Sequence, residues 1–179
     1  FAKLFSIPYR TVPLCDDFTV DVGAMSRPAG GVVFANPNAP TSIELPSEQV
    51  RKIAKAHPNE VVLVDEAYTE FGNESAVSLI KDHPNLLVVK TFSKSHSLAG
   101  LRVGYALGDE DLVLTLDDVK NSFNSYPVDR LAQAGALAAM HEEAYCRKTI
   151  EAIRQTREES AAALRSMGFA MPDSDANFL

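Results

Sequence analysis

Three short stretches of the chain are apolar at nearly every position: Val32-Val33-Phe34, Val61-Val62-Leu63-Val64 and Leu86-Leu87-Val88-Val89. Unbroken apolar runs of this length suit strands buried on both faces, as in a largely parallel sheet covered by helices. With their flanks they predict strands over Gly31 to Ala35, Val61 to Val64 and Leu86 to Lys90. Two further β-rich runs are Tyr9 to Leu14 and Val103 to Leu107. Between Ala35 and Val61 the period changes. Val50, Ile53, Ala54 and His57 fall on one helical face, Ser47 stands after Pro46 as an N-cap, Glu48 suits the first turn, and Pro58 stops the pattern. Strand, helix, strand in this order is the βαβ signature of an α/β sheet.

Beyond Asp109 the pattern is helical. One segment begins near Asp109 to Asp111 and carries Leu112, Leu116 and Val119. A second follows Pro127, with Leu131, Ala134, Leu137 and Ala138 forming a small-residue face. A third runs from Glu142 to Met167, with Cys146, Ile150, Ile153, Arg157, Ser160 and Leu164 at helical spacing and Gly168-Phe169 as its C-cap. The closing residues Ala176 to Leu179 read as a strand cut short. A long helix leaving a sheet and ending in a new strand predicts a connection into a second domain. No internal repeat or low-complexity tract is present.

Composition narrows the classes. The 179 residues are 46% apolar and 23% charged, the balance of a globular protein with a substantial core. A formal charge of −7 argues against a nucleic-acid or anionic-membrane surface, while leaving room for an anionic small ligand in a pocket with a few cations. No apolar run reaches membrane-spanning length. Cys15 and Cys146 lack metal-type spacing and suit a reducing cytoplasm. A first residue that is not Met, and the strand-like last residues, suggest a fragment truncated at both ends.

The densest cluster of chemistry-bearing residues directly follows the Leu86 to Lys90 strand: Thr91-Phe92-Ser93-Lys94-Ser95-His96-Ser97-Leu98-Ala99-Gly100-Leu101-Arg102-Val103-Gly104-Tyr105. Open α/β sheets bind ligands at the carboxyl ends of their strands. Hydroxyls with a planar guanidinium, Arg102, make a phosphate receptor. A lysine beside bound phosphate, if its amine sheds a proton, can form a Schiff base. On its own the stretch reads equally well as a polar loop with a solvated lysine and a structural arginine. A second cluster, Asp65-Glu66-Ala67-Tyr68, closes the Val61 to Val64 strand. A carboxylate there needs a partner. Capping the following turn is one task for Asp65; holding a protonated pyridine nitrogen is another. Tyr68 can donate to a phenolate-type oxygen, and Glu66 reads as solvated or structural. A third segment, Asn36-Pro37-Asn38-Ala39-Pro40-Thr41, is a rigid loop at the end of the first of these strands, on the same sheet edge.

These three segments, in this order, resemble the histidinol-phosphate aminotransferase branch of the class I/II, fold type I aminotransferases that use pyridoxal 5′-phosphate. That family carries an N-P-N-N-P-T-G loop, a D-E-A-Y strand end and an S-K-x-x-x-L-A-G-L-R-x-G segment, matched by Asn36 to Ser42, Asp65 to Tyr68 and Ser93 to Gly104. The stretch Phe1 to Leu14 and the pair Asp17-Phe18 also resemble family sequence, so the likeness covers the whole chain, as the middle half of a complete member.

The resemblance implies an α/β fold: a three-layer sandwich with a mostly parallel sheet, plus the start of a smaller C-terminal α/β domain. Residues 1–126 would be part of the cofactor-binding large domain, and residues 127–179 the connecting helices and the start of the small one. It implies that Lys94 is the Schiff-base lysine and general base, that Asp65 pairs with the pyridine nitrogen, and that Tyr68 bonds the ring oxygen. Thr91, Ser93 and Arg102 would hold the phosphate. The family asparagine that meets the ring oxygen falls at Ala39 here, which leaves Asn38 as the nearest substitute and Asn36 behind it. Ser42 replaces the family glycine. The implied reaction is transamination of histidinol phosphate with 2-oxoglutarate in histidine biosynthesis, by a cytoplasmic homodimer, with little turnover from the 179 residues alone. Two alternatives share the motifs: a related enzyme, such as an amino-acid-phosphate decarboxylase or an aromatic aminotransferase, and a non-catalytic cofactor-binding sensor domain of a transcription regulator. His96 reads as a solvated loop residue rather than a proton shuttle, and His57, His83 and His141 offer no metal spacing.

Overall fold

The computed structural model describes residues 2–179; Phe1, the first residue of the family-like opening stretch, lies outside them. Four strands form one sheet in sequence order: β1 (Val32–Ala35), β2 (Val62–Asp65), β3 (Leu86–Thr91) and β4 (Gly104–Leu107). The first three run parallel, with Val32 opposite Val62 and Val62 opposite Leu86; β4 returns antiparallel, with Gly104 opposite Thr91. The expected α/β fold with a mostly parallel sheet is therefore present.

Side chains alternate across a strand, and the register aligns that alternation between neighbours. Val32, Phe34, Val62, Val64, Leu86 and Val88 share one face. That face is packed by α1 (Val22–Met25), α2 (Ser47–Ala56) and the 3₁₀ turns of Ala76–Asp82. Val50 and Ile53 of α2 reach this core, and Leu45 and Leu79 close it. At roughly 25 cal/mol per Å² of apolar area, this core is the main stabilising element. The opposite face carries Val33, Leu63, Leu87, Asp65 and Thr91. It is unevenly covered: Leu87 is buried near Gly108 and Leu112, while Val33 is 71% exposed.

Helix α2 differs from expectation at its start. Pro46 is the N-cap residue and offers no side-chain bond, so Ser47 is the first helical residue. The orphan amide of Ser47 donates to Glu74 Oε2 (2.8 Å) on a distant loop instead. At the other end His57 is buried, and its Nε2 donates to the carbonyl of Met25 (2.9 Å), which ties α2 to α1.

The three long helices are α3 (Glu110–Phe123), α4 (Arg130–His141) and α5 (Glu143–Ser166). Asp109 caps α3 through the amide of Asp111, and Asp129 caps α4 through those of Leu131 and Ala132. In α4 the buried stripe is Ala132 and Ala136, while the expected face of Leu131, Ala134, Leu137 and Ala138 is exposed. In α5 the expected face does turn inward, with Cys146 and Ala161 buried and Ile150, Ile153, Arg157, Ser160 and Leu164 half-buried. Its end is the expected cap. Gly168 takes φ +93°, and the amide of Phe169 reaches back to the carbonyl of Leu164 (3.2 Å).

Two expected strands are absent. Tyr9 to Leu14 is irregular and mostly exposed, without a neighbouring strand to pair its backbone. Ala176 to Leu179 is not a strand either. Side chains hold it: Arg157 Nη1 donates to the carbonyls of Phe71 (3.0 Å) and Ala176 (2.8 Å), and Asp175 Oδ2 accepts from the amide of Glu44 (3.0 Å). Among the described residues, no helix is long and apolar enough to cross a membrane.

At Gly104 a Cβ would stand 2.9 Å from the backbone oxygen of Lys90, an atom that the sheet holds in place. Gly104→Ala should therefore force β4 from β3 and cost about 1–3 kcal/mol, read as a lowered urea midpoint at unchanged slope.

Candidate functional site

Because β1, β2 and β3 are parallel and in register, their carboxyl ends, Ala35, Asp65 and Thr91, finish along one edge. That edge is where an open α/β sheet offers room for a ligand. Alternation puts Asp65 and Thr91 on the same face of the sheet, and it puts their chain neighbours Glu66 and Lys90 on the other, toward the core.

After β3 the chain turns tightly. The amide of Ser93 donates to Thr91 Oγ1 (3.0 Å), and the two hydroxyls are 2.9 Å apart. The amides of Ser97 and Leu98 donate to the carbonyls of Lys94 and Phe92 (3.0 Å each), closing the loop on itself. Lys94 emerges half-buried, with Nζ 5.2 Å from the centroid of the Tyr68 ring. Among the described residues its ammonium has no acid partner. Tyr68 also meets Phe178, with centroids 5.2 Å apart and planes at 85°. Such edge-to-face contact fixes a ring's orientation.

Arg102 has φ +54° at the end of the 3₁₀ turn Ala99–Leu101 and donates from Nη1 to the carbonyl of Ala99 (3.0 Å). Pairing of Gly104 with Thr91, and of the Phe92 amide with the Val103 carbonyl (3.1 Å), brings its backbone beside Thr91 and Ser93. Asp65 Oδ1 accepts from the amide of Ala67 (3.0 Å), an ordinary turn-forming task, and the side chain is exposed.

The asparagines differ from one another. Asn36 is buried and exchanges both side-chain bonds with the backbone of Leu45 (2.9 and 2.7 Å), so its amide is committed to the loop itself. Asn38 is half-buried and donates to Thr41 Oγ1 (2.9 Å), and Ala39 is exposed. Ser42, where the resembled family has glycine, takes φ +61°, the left-handed region that glycine enters without strain. Its amide donates to the carbonyl of Asn38 (2.7 Å), which locks the loop.

Two features were missed by sequence reasoning. Glu66, read as solvated or structural, is the structural one, fully buried, and its partners were not foreseen. It accepts from Ser75 Oγ and the amide of Ala76 (2.6 Å each) and lies 3.3 Å from Lys90 Nζ, which also bonds Glu70 Oε1 at 2.7 Å. The signal was available, since strand alternation puts Lys90 on the core side with Val88. Burial alone would lower the Lys90 pKa, but the hydrogen bond and charge of Glu70, with those of Glu66, hold its ammonium above the usual range. Burial raises the nearby Tyr105 phenol, against the opposing charge of Lys90. The second feature is the 174–178 tail packed on Tyr68, for which local sequence gave no cue. His96 also departs from expectation: its Nδ1 is 3.0 Å from Ser95 Oγ, and its ring lies 4.8 Å from that of Phe92.

The donor set suits a ligand with a carbonyl, a ring and a phosphate. It offers an amine without an acid partner, two clustered hydroxyls with an arginine alongside, and a carboxylate and a phenol on the adjacent strand end. Fold and site together define an α/β protein with an amine lacking an acid partner, among the described residues, at the carboxyl edge of its sheet. The chain belongs to the aminotransferase class I and II family, whose model matches residues 1–179. It is 52% identical over its whole length to a histidinol-phosphate aminotransferase of Acetobacter pasteurianus, and 53% identical over 182 aligned positions to histidinol-phosphate aminotransferase 1 of Bordetella parapertussis. It covers 50% and 51% of those proteins, so the chain spans about half the length of the curated relatives it matches. Among solved structures, histidinol-phosphate aminotransferase from Sinorhizobium meliloti, in complex with pyridoxal-5′-phosphate, superposes with TM-score 0.81 at 30% identity, over 93% of this chain and 47% of that one. The enzyme of that name from Clostridium acetobutylicum gives TM-score 0.87 at 20% identity, over 98% and 55% respectively, which bears on the fold alone.

Lys90→Met would leave Glu66 buried without its cation, and should cost about 3–5 kcal/mol by denaturant titration. A folded-state pKa raised above 10.5 makes the lysine's contribution complete below that pH and lost as pH climbs through the raised value. The stability gap between wild type and Lys90→Met should therefore be flat from pH 6 to 9 and shrink only in strong alkali. For Ser42→Gly, relief of about 1–2 kcal/mol of left-handed strain is offset by about 0.5–1 kcal/mol of unfolded-chain entropy. Ser42→Gly should thus melt at or slightly above wild type and Ser42→Val clearly below, in calorimetry.

Proposed function

We propose that this chain forms the cofactor-holding part of a pyridoxal 5′-phosphate aminotransferase, acting on histidinol phosphate with 2-oxoglutarate as amino acceptor in histidine biosynthesis. The observation that carries the reading is Lys94: a half-buried amine with no acid partner among the described residues, set over the Tyr68 ring at the end of a buried strand. Identity of about half to named histidinol-phosphate aminotransferases supports the substrate assignment. Residues 1–126 serve as part of the cofactor-binding domain, and residues 127–179 lead into the smaller one. A cytoplasmic homodimer fits the same reading.

When bound, pyridoxal 5′-phosphate supplies an aldehyde for amines and a cationic ring that draws electrons from the substrate α-carbon. Lys94 Nζ would hold the cofactor through its aldehyde carbon, and as a free amine it would be the base placed to take up and return the substrate α-proton. Asp65 keeps the proton on the ring nitrogen, because a carboxylate beside a pyridinium favours the charged form. Tyr68 donates its hydroxyl to the ring oxygen, and Asn38, at the end of β1, is the amide nearest in sequence to that role. Asn36 acts behind it by holding the loop against Leu45. Thr91, Ser93 and Arg102 bind the phosphate through hydroxyl and guanidinium donors.

In the complete gene product incubated with pyridoxal 5′-phosphate, borohydride reduction and peptide mapping should put the adduct on Lys94. Lys94→Ala should lose the adduct and at least about a hundredfold in kcat, the lower end for a lost general base. An adduct elsewhere would sink the assignment. Formation of glutamate from histidinol phosphate and 2-oxoglutarate marks transamination, and release of carbon dioxide from an amino-acid substrate marks a decarboxylase.

A further inference from the structure

We infer that Lys90 is a positioning residue for the cofactor site, tying the residues that follow β2 to the end of β3 from the core side of the sheet. The inference rests on the proposed cofactor reading and deepens it. Lys90 immediately precedes Thr91, and its side chain spans to two carboxylates of the neighbouring segment. Glu66, at 3.3 Å, immediately follows Asp65; Glu70, at 2.7 Å, lies just beyond Tyr68. Asp65, Thr91 and the loop to Lys94 thus stand on one side of the sheet edge, with their chain neighbours bolted together on the other. Backbone pairing alone does not supply this tie. The last ladder bond between the two segments is the amide of Glu66 to the carbonyl of Val89 (2.8 Å); beyond it the chain after β2 turns away while β3 runs on to Thr91 beside β4. From there to Tyr68 and Lys94, the ion triad is the link on the core side.

Glu66 is anchored independently by Ser75 Oγ and the Ala76 amide, so it acts as the fixed end of the tie. Glu70, in the 3₁₀ turn Thr69–Phe71 that Tyr68 caps, is the adjustable end. Losing the Glu70 arm should let the turn that carries Tyr68 move relative to Lys94. Losing the lysine should let both segments move. The effect should appear as looser cofactor binding and a changed electronic environment at Lys94, neither of which follows from lower global stability.

The test uses the complete gene product with added pyridoxal 5′-phosphate, comparing wild type with Lys90→Met, Lys90→Arg and Glu70→Gln. Readouts are the cofactor Kd, the pH midpoint of the bound cofactor's visible absorbance and the melting temperature of the cofactor-free protein. Glu70→Gln removes a partly exposed charge and keeps the fold available if Lys90→Met does not fold. Expected results are a Kd raised at least tenfold and a shifted midpoint in Glu70→Gln, and in Lys90→Met where it folds, with Lys90→Arg within about threefold of wild type. A Kd and midpoint unchanged in folded Glu70→Gln would overturn the inference. So would losses in Lys90→Arg equal to those in Lys90→Met. Failure of wild type itself to give a borohydride adduct at Lys94 would instead overturn the cofactor reading.

Discussion

Parallel pairing of β1, β2 and β3 is the constraint from which the site follows. Three strands running the same way, each separated from the next by a crossover, must finish at one edge, and their last residues are brought together whatever their distance in sequence. Asn38 and Lys94 lie on the connections after β1 and β3, and Asp65 ends β2, so three distant parts of the sequence belong to this one edge. The sheet is held by one well-packed face, where Val50 and Ile53 of α2 press on Val62, Val64, Leu86 and Val88. Core packing is thus the remote cause of site geometry.

Much of this was legible from residue pattern. Unbroken apolar runs located three of the four strands, and β4 was found from its β-rich composition. The period of Val50, Ile53 and Ala54 located α2, and α3 opens where expected, near Asp109 to Asp111; the Asp129 cap of α4 was not foreseen. Segments without a partner were not legible. Tyr9 to Leu14 has strand-like residues but no neighbour to complete its backbone bonds, and β-propensity measures fit to a sheet more than any preference of the chain itself. In α4 the larger side chains suggested the buried face, yet the helix turns alanines inward, where a small side chain allows close approach. Tertiary context decided both.

The site divides in the same way. Lys94, Thr91, Ser93 and Asp65 could be placed because each directly follows a strand that hydrophobicity reveals. The loop after β1 was harder. Two asparagines spaced around a proline look alike in sequence, but one is buried against Leu45 and the other faces its own turn. Ser42 was noted only as a departure from glycine, and the backbone gives the reason: φ +61° is a conformation that a serine enters at a cost. Contacts across long sequence separations, such as Phe178 on Tyr68 or Arg157 on Ala176, left no local signature.

Charge placement follows from the two-sided character of the sheet edge. Beyond the end of β3 stands Lys94, an amine with no acid partner among the described residues. Four residues earlier, within β3, a second lysine turns to the core face, where two carboxylates keep it cationic. The tight turn after Thr91 carries Lys94 out of the strand, so the two lysines stand in different surroundings although only three residues lie between them. A one-residue slip in the register of β3 would turn Lys90 off the core face and away from both carboxylates.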